Sequence, residues 1–117
     1  MKRISVILSP EAELTYKKLN IQARNSKIER SIFDAFNKKI EILKGNFHYG
    51  LPIAKNLIPL EYKSKYGVTN LFRIELPNFW RMLYTLTNGN DNSEIVIFIL
   101  DIINHNIYNK KFGYKKK

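Results

Sequence analysis

The residues best suited to chemistry lie in one stretch of the chain, Leu71 to Phe112. It reads as three strands, two of which carry one arginine each, Arg73 and Arg81. A segment holding His105, Tyr108 and the pair Lys110 and Lys111 follows. An arginine fixed on a rigid strand binds phosphate by charge and by bidentate hydrogen bonds. His105 can act as a base or an acid near neutral pH. Tyr108 can donate a hydrogen bond, stack on a nucleobase or supply a proton. Together these side chains point to nucleic acid as the ligand and to its cleavage as the reaction.

Two arginines can grip one phosphate only if they share a sheet face, and hairpin register decides that. Same-face placement needs an even register sum, such as Arg73 opposite Arg81 about a three-residue loop. A two-residue turn at Pro77-Asn78 instead sets Arg73 opposite Met82 and sends Arg81 to the other face. A bulge would restore convergence. The alternative roles are a solvated outer face for these arginines, or an ion pair of Arg73 with Glu75 or Glu94.

Further along, Lys110, Lys111, Lys115, Lys116 and Lys117 interleave with Phe112 and Tyr114. Basic residues among aromatics suit single-stranded RNA, with phosphates on lysines and bases on rings. We single out Lys110, Lys111 and Lys115 as RNA contacts; a solubilising tail is the competing reading. Trp80 fits a core or a partner interface better than a stacking platform. His48 and Tyr49 read as loop packing.

Composition narrows the chemistry. The chain has 117 residues, no cysteine, two histidines and a formal charge of +10, from 20 Lys+Arg against 10 Asp+Glu. Disulfides, thiolate chemistry and His-rich metal clusters are excluded. No glycine-rich phosphate loop or metal-ligand spacing is present, and the acidic residues are scattered, so a two-metal nuclease is not expected. Cleavage would then be metal-free and without cofactor. The RNA 2′-hydroxyl attacks its own phosphate, a base takes its proton, arginines stabilise the charge, and an acid protonates the leaving oxygen. The positive charge favours polyanionic partners. Without a signal peptide pattern or an apolar run long enough to span a bilayer, the expectation is a soluble cytoplasmic protein that does not engage membranes.

The elements that must position these residues are legible in outline. Arg3 to Leu8 alternates as a strand. Ser9-Pro10-Glu11 opens a helix carrying Ala12, Tyr16, Leu19 and Ala23, and Asn25 interrupts it. Ser26 and Glu29 form a capping box for a second helix with the stripe Ile28, Ile32, Phe36, Ile40 and Leu43, which Gly45 and Asn46 end. Phe47 to Asn70 is a long loop with room for a helical turn within Leu60 to Tyr66. Leu71 to Leu76, Phe79 to Thr87 and Glu94 to Ile103 are strands, the last apolar enough to be covered on both faces. The predicted fold is α+β, in the order β-α-α-β-β-β. It is an antiparallel sheet of about four strands with two N-terminal helices packed on one face. Residues 1–117 form a single domain with a basic tail from about 113.

This layout resembles the RelE/ParE superfamily of type II toxins from bacterial and archaeal toxin–antitoxin pairs, over nearly the whole chain. RISVILSPEAELTYKKL is similar to the family's first strand and helix, and GLPIAKNL to its loop before the sheet. LFRIELPNFWRMLYTL resembles the double-strand signature, and IVIFILDIINHNIYN the final strand with its His and Tyr end. The resemblance implies a metal-free endoribonuclease that cleaves mRNA on the ribosome and is neutralised by a cognate antitoxin. It places Arg73 and Arg81 at the strand basic positions, His105 near the basic residue after the last strand, and Tyr108 at the terminal tyrosine. Glu75 stands where some members carry a second strand lysine, and Asn106 where an arginine often follows the histidine. The ParE branch, which poisons DNA gyrase, and a non-catalytic RNA-binding relative share the same outline.

Overall fold

Strand β1 (Arg3–Leu8) turns at Ser9 into helix α1 (Pro10–Gln22) in the structure, a computed structural model describing residues 2–113. The Ser9 hydroxyl accepts from Ala12 N at 3.0 Å, satisfying a helix donor that would otherwise lack a partner. The same hydroxyl donates to Leu100 O at 2.7 Å, and Ser9 N donates to Ile99 O at 2.9 Å. One buried residue thus starts a helix and ties it to the sheet. Helix α2 (Lys27–Gly45) starts at Ser26, whose hydroxyl accepts from Glu29 N at 3.4 Å and donates to the Glu29 carboxylate. Its stripe buries Ile32, Phe36 and Leu43, while Ile28, in the first turn, stays 55% exposed.

Among the described residues, five strands make one mixed sheet in the order β1-β5-β4-β3-β2. Strand β2 is Leu51–Pro52, β3 Phe72–Leu76, β4 Trp80–Asn88 and β5 Glu94–Asn104. β1 runs parallel to β5, from Arg3 opposite Glu94 to Leu8 opposite Ile99, and the other pairs are antiparallel. The expected antiparallel sheet of about four strands is therefore corrected to five with one parallel pair. Alternation encodes which face a side chain takes and says nothing of strand direction.

The expectation of two helices on one face is also incomplete. Two more short helices, α3 (Leu60–Tyr66) and α4 (His105–Lys111), lie on the opposite side. β5 explains why. Ile97, Ile99 and Ile102 pack with Leu19, Ile32 and Phe36, whereas Leu100 and Ile103 pack with Ile58, Tyr62 and Tyr108. A strand apolar on both faces needs cover on both, and α1 and α2 supply only half. The β4–β5 register shifts between Leu83, opposite Asp101, and Tyr84, opposite Ile99. Leu100 is the extra residue of a bulge, so it and Asp101 both contact the α3 layer.

The long loop is ordered by two side chains. Tyr84 donates to Phe47 O at 2.9 Å and accepts from Gly50 N at 2.9 Å; a Cβ at Gly50 would sit 2.8 Å from its ring. The Asn70 amide accepts from Leu86 N at 2.8 Å and donates to Leu86 O at 2.9 Å, extending the β3–β4 pairing. No helix among the described residues is long and apolar enough to cross a membrane.

Ser9→Ala removes both the cap and the donor to Leu100 O. The expected loss is about 1–3 kcal/mol, read from the urea midpoint at constant m-value.

Candidate functional site

The geometry starts from the β3–β4 hairpin. Leu76 pairs with Trp80, Glu75 with Arg81, and Arg73 with Leu83. The connection is the three residues Pro77–Phe79, not a two-residue turn, and β4 begins at Trp80. Asn78 and Phe79 take left-handed backbone angles, φ 61° and 63°, to close it. Directly opposed residues share a face, so Arg73, Glu75, Arg81 and Leu83 all point toward α4.

There the two guanidiniums meet one ring. Arg73 Nη1 donates to the Tyr108 hydroxyl at 3.0 Å, and the Arg81 guanidinium carbon lies 4.3 Å from the Tyr108 ring centroid. Tyr108 arrives by a local device: the Asn104 side chain caps α4, accepting from Ile107 N at 2.9 Å where β5 ends. One turn on, Tyr108 folds back against the sheet, 2% exposed and stacked on Phe112 at 4.3 Å. Beside it, Leu51–Ala54 and Leu57 join Arg73 and Tyr108 in walling a cleft of about 160 Å³.

Glu75 sits between the arginines. Its carboxylate accepts from Arg81 Nε at 3.2 and 3.0 Å, and Oε1 lies 3.3 Å from Arg73 Nε. Its side chain is 53% exposed, and such a pair is worth only about 0–1 kcal/mol. An arriving phosphate could therefore displace it, and a displaced carboxylate beside a 2′-hydroxyl could accept a proton. The sequence raised Glu75 as a partner for Arg73 and as a departure from the family's strand lysine; its position directly opposite Arg81 follows from the register.

The remaining residues fall elsewhere. His105, the first residue of α4, is exposed; its Nε2 lies 3.1 Å from Asn109 Nδ2 and its ring 6.3 Å from Phe79. Neither contact reaches Arg73, Arg81 or Tyr108. Lys110 is exposed on α4. Lys111 is held inward, 2.6 Å from Glu61, 3.6 Å from Asp101 and 5.3 Å from the Tyr62 ring centroid. Lys115, with the rest of the basic tail from Tyr114 to Lys117, lies outside the described residues. Among those described, no group of three or more His, Cys, Asp or Glu is placed to hold a metal ion.

Asp101 is the residue that sequence reading passed over, a lone acid in an Ile-rich strand. Tyr62 donates its hydroxyl proton to this carboxylate, and Lys111 brings the α4 end of the site against it. Burial pushes the Asp101 carboxyl above its ordinary value, opposed by the Tyr62 hydrogen bond and by Lys111. Burial and the Asp101 charge push the Tyr62 phenol up as well, so it stays a donor. At the far edge of α3, Lys65 and Tyr66 bond Glu11 and hold it at about 2, well below the usual range. That contact is solvent-exposed and adds little stability.

No protein-family model, curated protein or solved structure matches this chain.

A raised carboxylate value means that folding favours the proton. The Asp101 contribution is fully present below the ordinary aspartate value of 3.8 and is lost as pH rises through the raised one. The stability of the unmodified protein relative to Asp101→Asn should therefore fall from acid toward neutral pH in a series of urea titrations. A difference that grows with pH would contradict this assignment.

Proposed function

We propose that the protein is a RelE-like toxin, a metal-free endoribonuclease acting on mRNA, and that its phosphate site is the surface where Arg73 and Arg81 converge. The observation that carries this reading is that both guanidiniums engage Tyr108 from one sheet face, beside an open cleft. A phosphodiester entering from the cleft would take the place of the Glu75 carboxylate and receive bidentate hydrogen bonds from the arginines. The adjacent 2′-hydroxyl attacks phosphorus and gives its proton to Glu75. The bond from phosphorus to the 5′ oxygen breaks, and Tyr108 protonates that oxygen, leaving a 2′,3′-cyclic phosphate and a 5′-hydroxyl. His105 and Lys110, both exposed on α4, would meet the strand outside this centre.

The formal charge of +10 suits a site on the ribosome, where phosphates are dense, and a cognate antitoxin that supplies an acidic segment. A second reading rests on one observation: Glu75 already occupies both arginines, which suits a relative that binds RNA without cutting it. The gyrase-directed alternative needs no nuclease site at all.

Expression from a tight promoter should arrest growth and create new 5′ ends in transcripts. Arg81→Ala should abolish both, and in vitro cleavage should fall about 10²–10³-fold, the usual cost of removing one charge-stabilising donor. Arrest with intact transcripts and accumulating DNA breaks selects the gyrase reading. Harmless expression with retained RNA affinity selects the non-catalytic one.

A further inference from the structure

The cleft at Arg73 does not end at Tyr108. On the other side of β2, Lys39, Tyr49, Gly50, Leu51, Arg73 and Glu75 border a second, larger cleft of about 370 Å³, within the size range of ligand sites. Arg73 and Leu51 wall both clefts, so the two form one path around the edge of the sheet. The path exists because β2 is so short: its two residues, Leu51 and Pro52, pair with Arg73 and Phe72. Beyond Arg73, the outer edge of β3 borders the second cleft rather than another strand.

The walls of this cleft are an aromatic ring and an ammonium group. Lys39, on α2, donates to the Tyr49 hydroxyl at 3.3 Å, and its Nζ lies 5.3 Å from the ring centroid. Tyr49 nonetheless keeps 43% of its surface exposed. Its placement is built in, because buried Tyr84 bonds both Phe47 O and Gly50 N and so clamps the segment on either side. A ring that merely packed a loop would be covered. This one is presented to solvent next to a cation, at a distance from Arg73 set by one shared cleft.

We propose that Lys39 and Tyr49 form a second nucleotide subsite for single-stranded RNA, adjoining the phosphate site at Arg73. The base stacks on Tyr49 and the neighbouring phosphate pairs with Lys39, which swings from the phenol to meet it. The assignment rests on the RNA-binding reading above and extends it from one phosphate to a short stretch of chain. Charge decides between a nucleic acid and an apolar peptide as occupant. Lys39 and Arg73 line the path, and the only carboxylate on it among the described residues, Glu75, is already shared by Arg73 and Arg81.

The test is fluorescence anisotropy with a labelled oligoribonucleotide of about eight nucleotides, within the site sizes that single-strand binders cover. Tyr49→Ala should weaken binding about tenfold, the scale of one lost stacking partner, while Tyr49→Phe keeps the affinity. Lys39→Ala should make the slope of log affinity against log salt shallower by about 0.7, one phosphate contact on a single strand. Both side chains are on the surface, and unchanged melting curves confirm that the variants fold. Wild-type affinity in Tyr49→Ala, or an unchanged salt slope in Lys39→Ala, overturns the subsite and leaves the cleft to a protein partner. Arg73→Ala and Arg81→Ala judge the phosphate site separately, since normal binding by both would remove that reading while the Tyr49 comparison still decides this one. If the unmodified protein binds no RNA, both fall.

Discussion

Pro77, Asn78 and Phe79 join β3 to β4, and the parity of that three-residue connection governs which charges meet. With Leu76 opposite Trp80, Arg73, Glu75 and Arg81 face α4, and Ile74, Leu76 and Met82 face the α1–α2 core. One residue fewer in the turn would put Arg81 into that core, where an unpaired cation is untenable. The geometry has a local cost. Asn tolerates left-handed backbone angles, but Phe79 does not, and a non-glycine residue there costs about 1–3 kcal/mol. Asn78 bonds Ser31 Oγ on α2 at 3.0 Å, so the strained turn is fastened to the helix layer. Burial of the alternating strand faces then holds a register that the turn by itself would not choose.

Two guanidiniums beside one ring repel each other if left alone. Glu75 supplies the counter-charge. Its carboxylate sits between them, bonded to Arg81 Nε and close to Arg73 Nε. The two guanidiniums and one carboxylate keep a single net positive charge, and on the proposed reading binding of an anion is an exchange of one carboxylate for another oxyanion. Phosphate has the advantage of a second bidentate face toward the arginines. On that reading the affinity is a difference between two similar interactions and depends on the residue at position 75.

How much of this was legible follows from what local patterns encode. Ser9-Pro10 and Ser26 with Glu29 name helix starts because capping is a local hydrogen-bond problem, and the structure has both. The two-sided apolar run of β5 announced cover on both faces, but not that α3 and α4 would provide it; their apolar residues are too few to mark a face. Strand direction at β1 was hidden for the reason that alternation is blind to polarity. The meeting of Arg73 with Arg81 hung on one residue of turn length, and Pro77-Asn78 looks like a complete turn until Phe79 is seen to adopt a conformation that its type disfavours. His105 was read as part of the cluster from proximity in sequence, yet three residues along a helix separate an exposed position from the buried one at Tyr108. Asp101, by contrast, was a visible anomaly whose partners came from elements too distant in sequence to name.

Tyr108 reaches the arginines by a route independent of the hairpin. The bulge at Leu100 turns both it and Asp101 toward the α3 layer, where strict alternation would have sent one of them to the opposite face. Asp101 then holds the Tyr62 hydroxyl, and Lys111 bridges from α4 to Asp101 and Glu61. Because Lys111 lies three residues after Tyr108 on the same short helix, fixing one end fixes the other. A seven-residue helix cannot hold its shape alone, so α4 depends on this anchor, on the Asn104 cap and on Tyr108 burial. The arginines are therefore set by turn parity and the tyrosine by a bulge and a buried carboxylate. These are separate constraints in separate cores, and the site exists only where both are met.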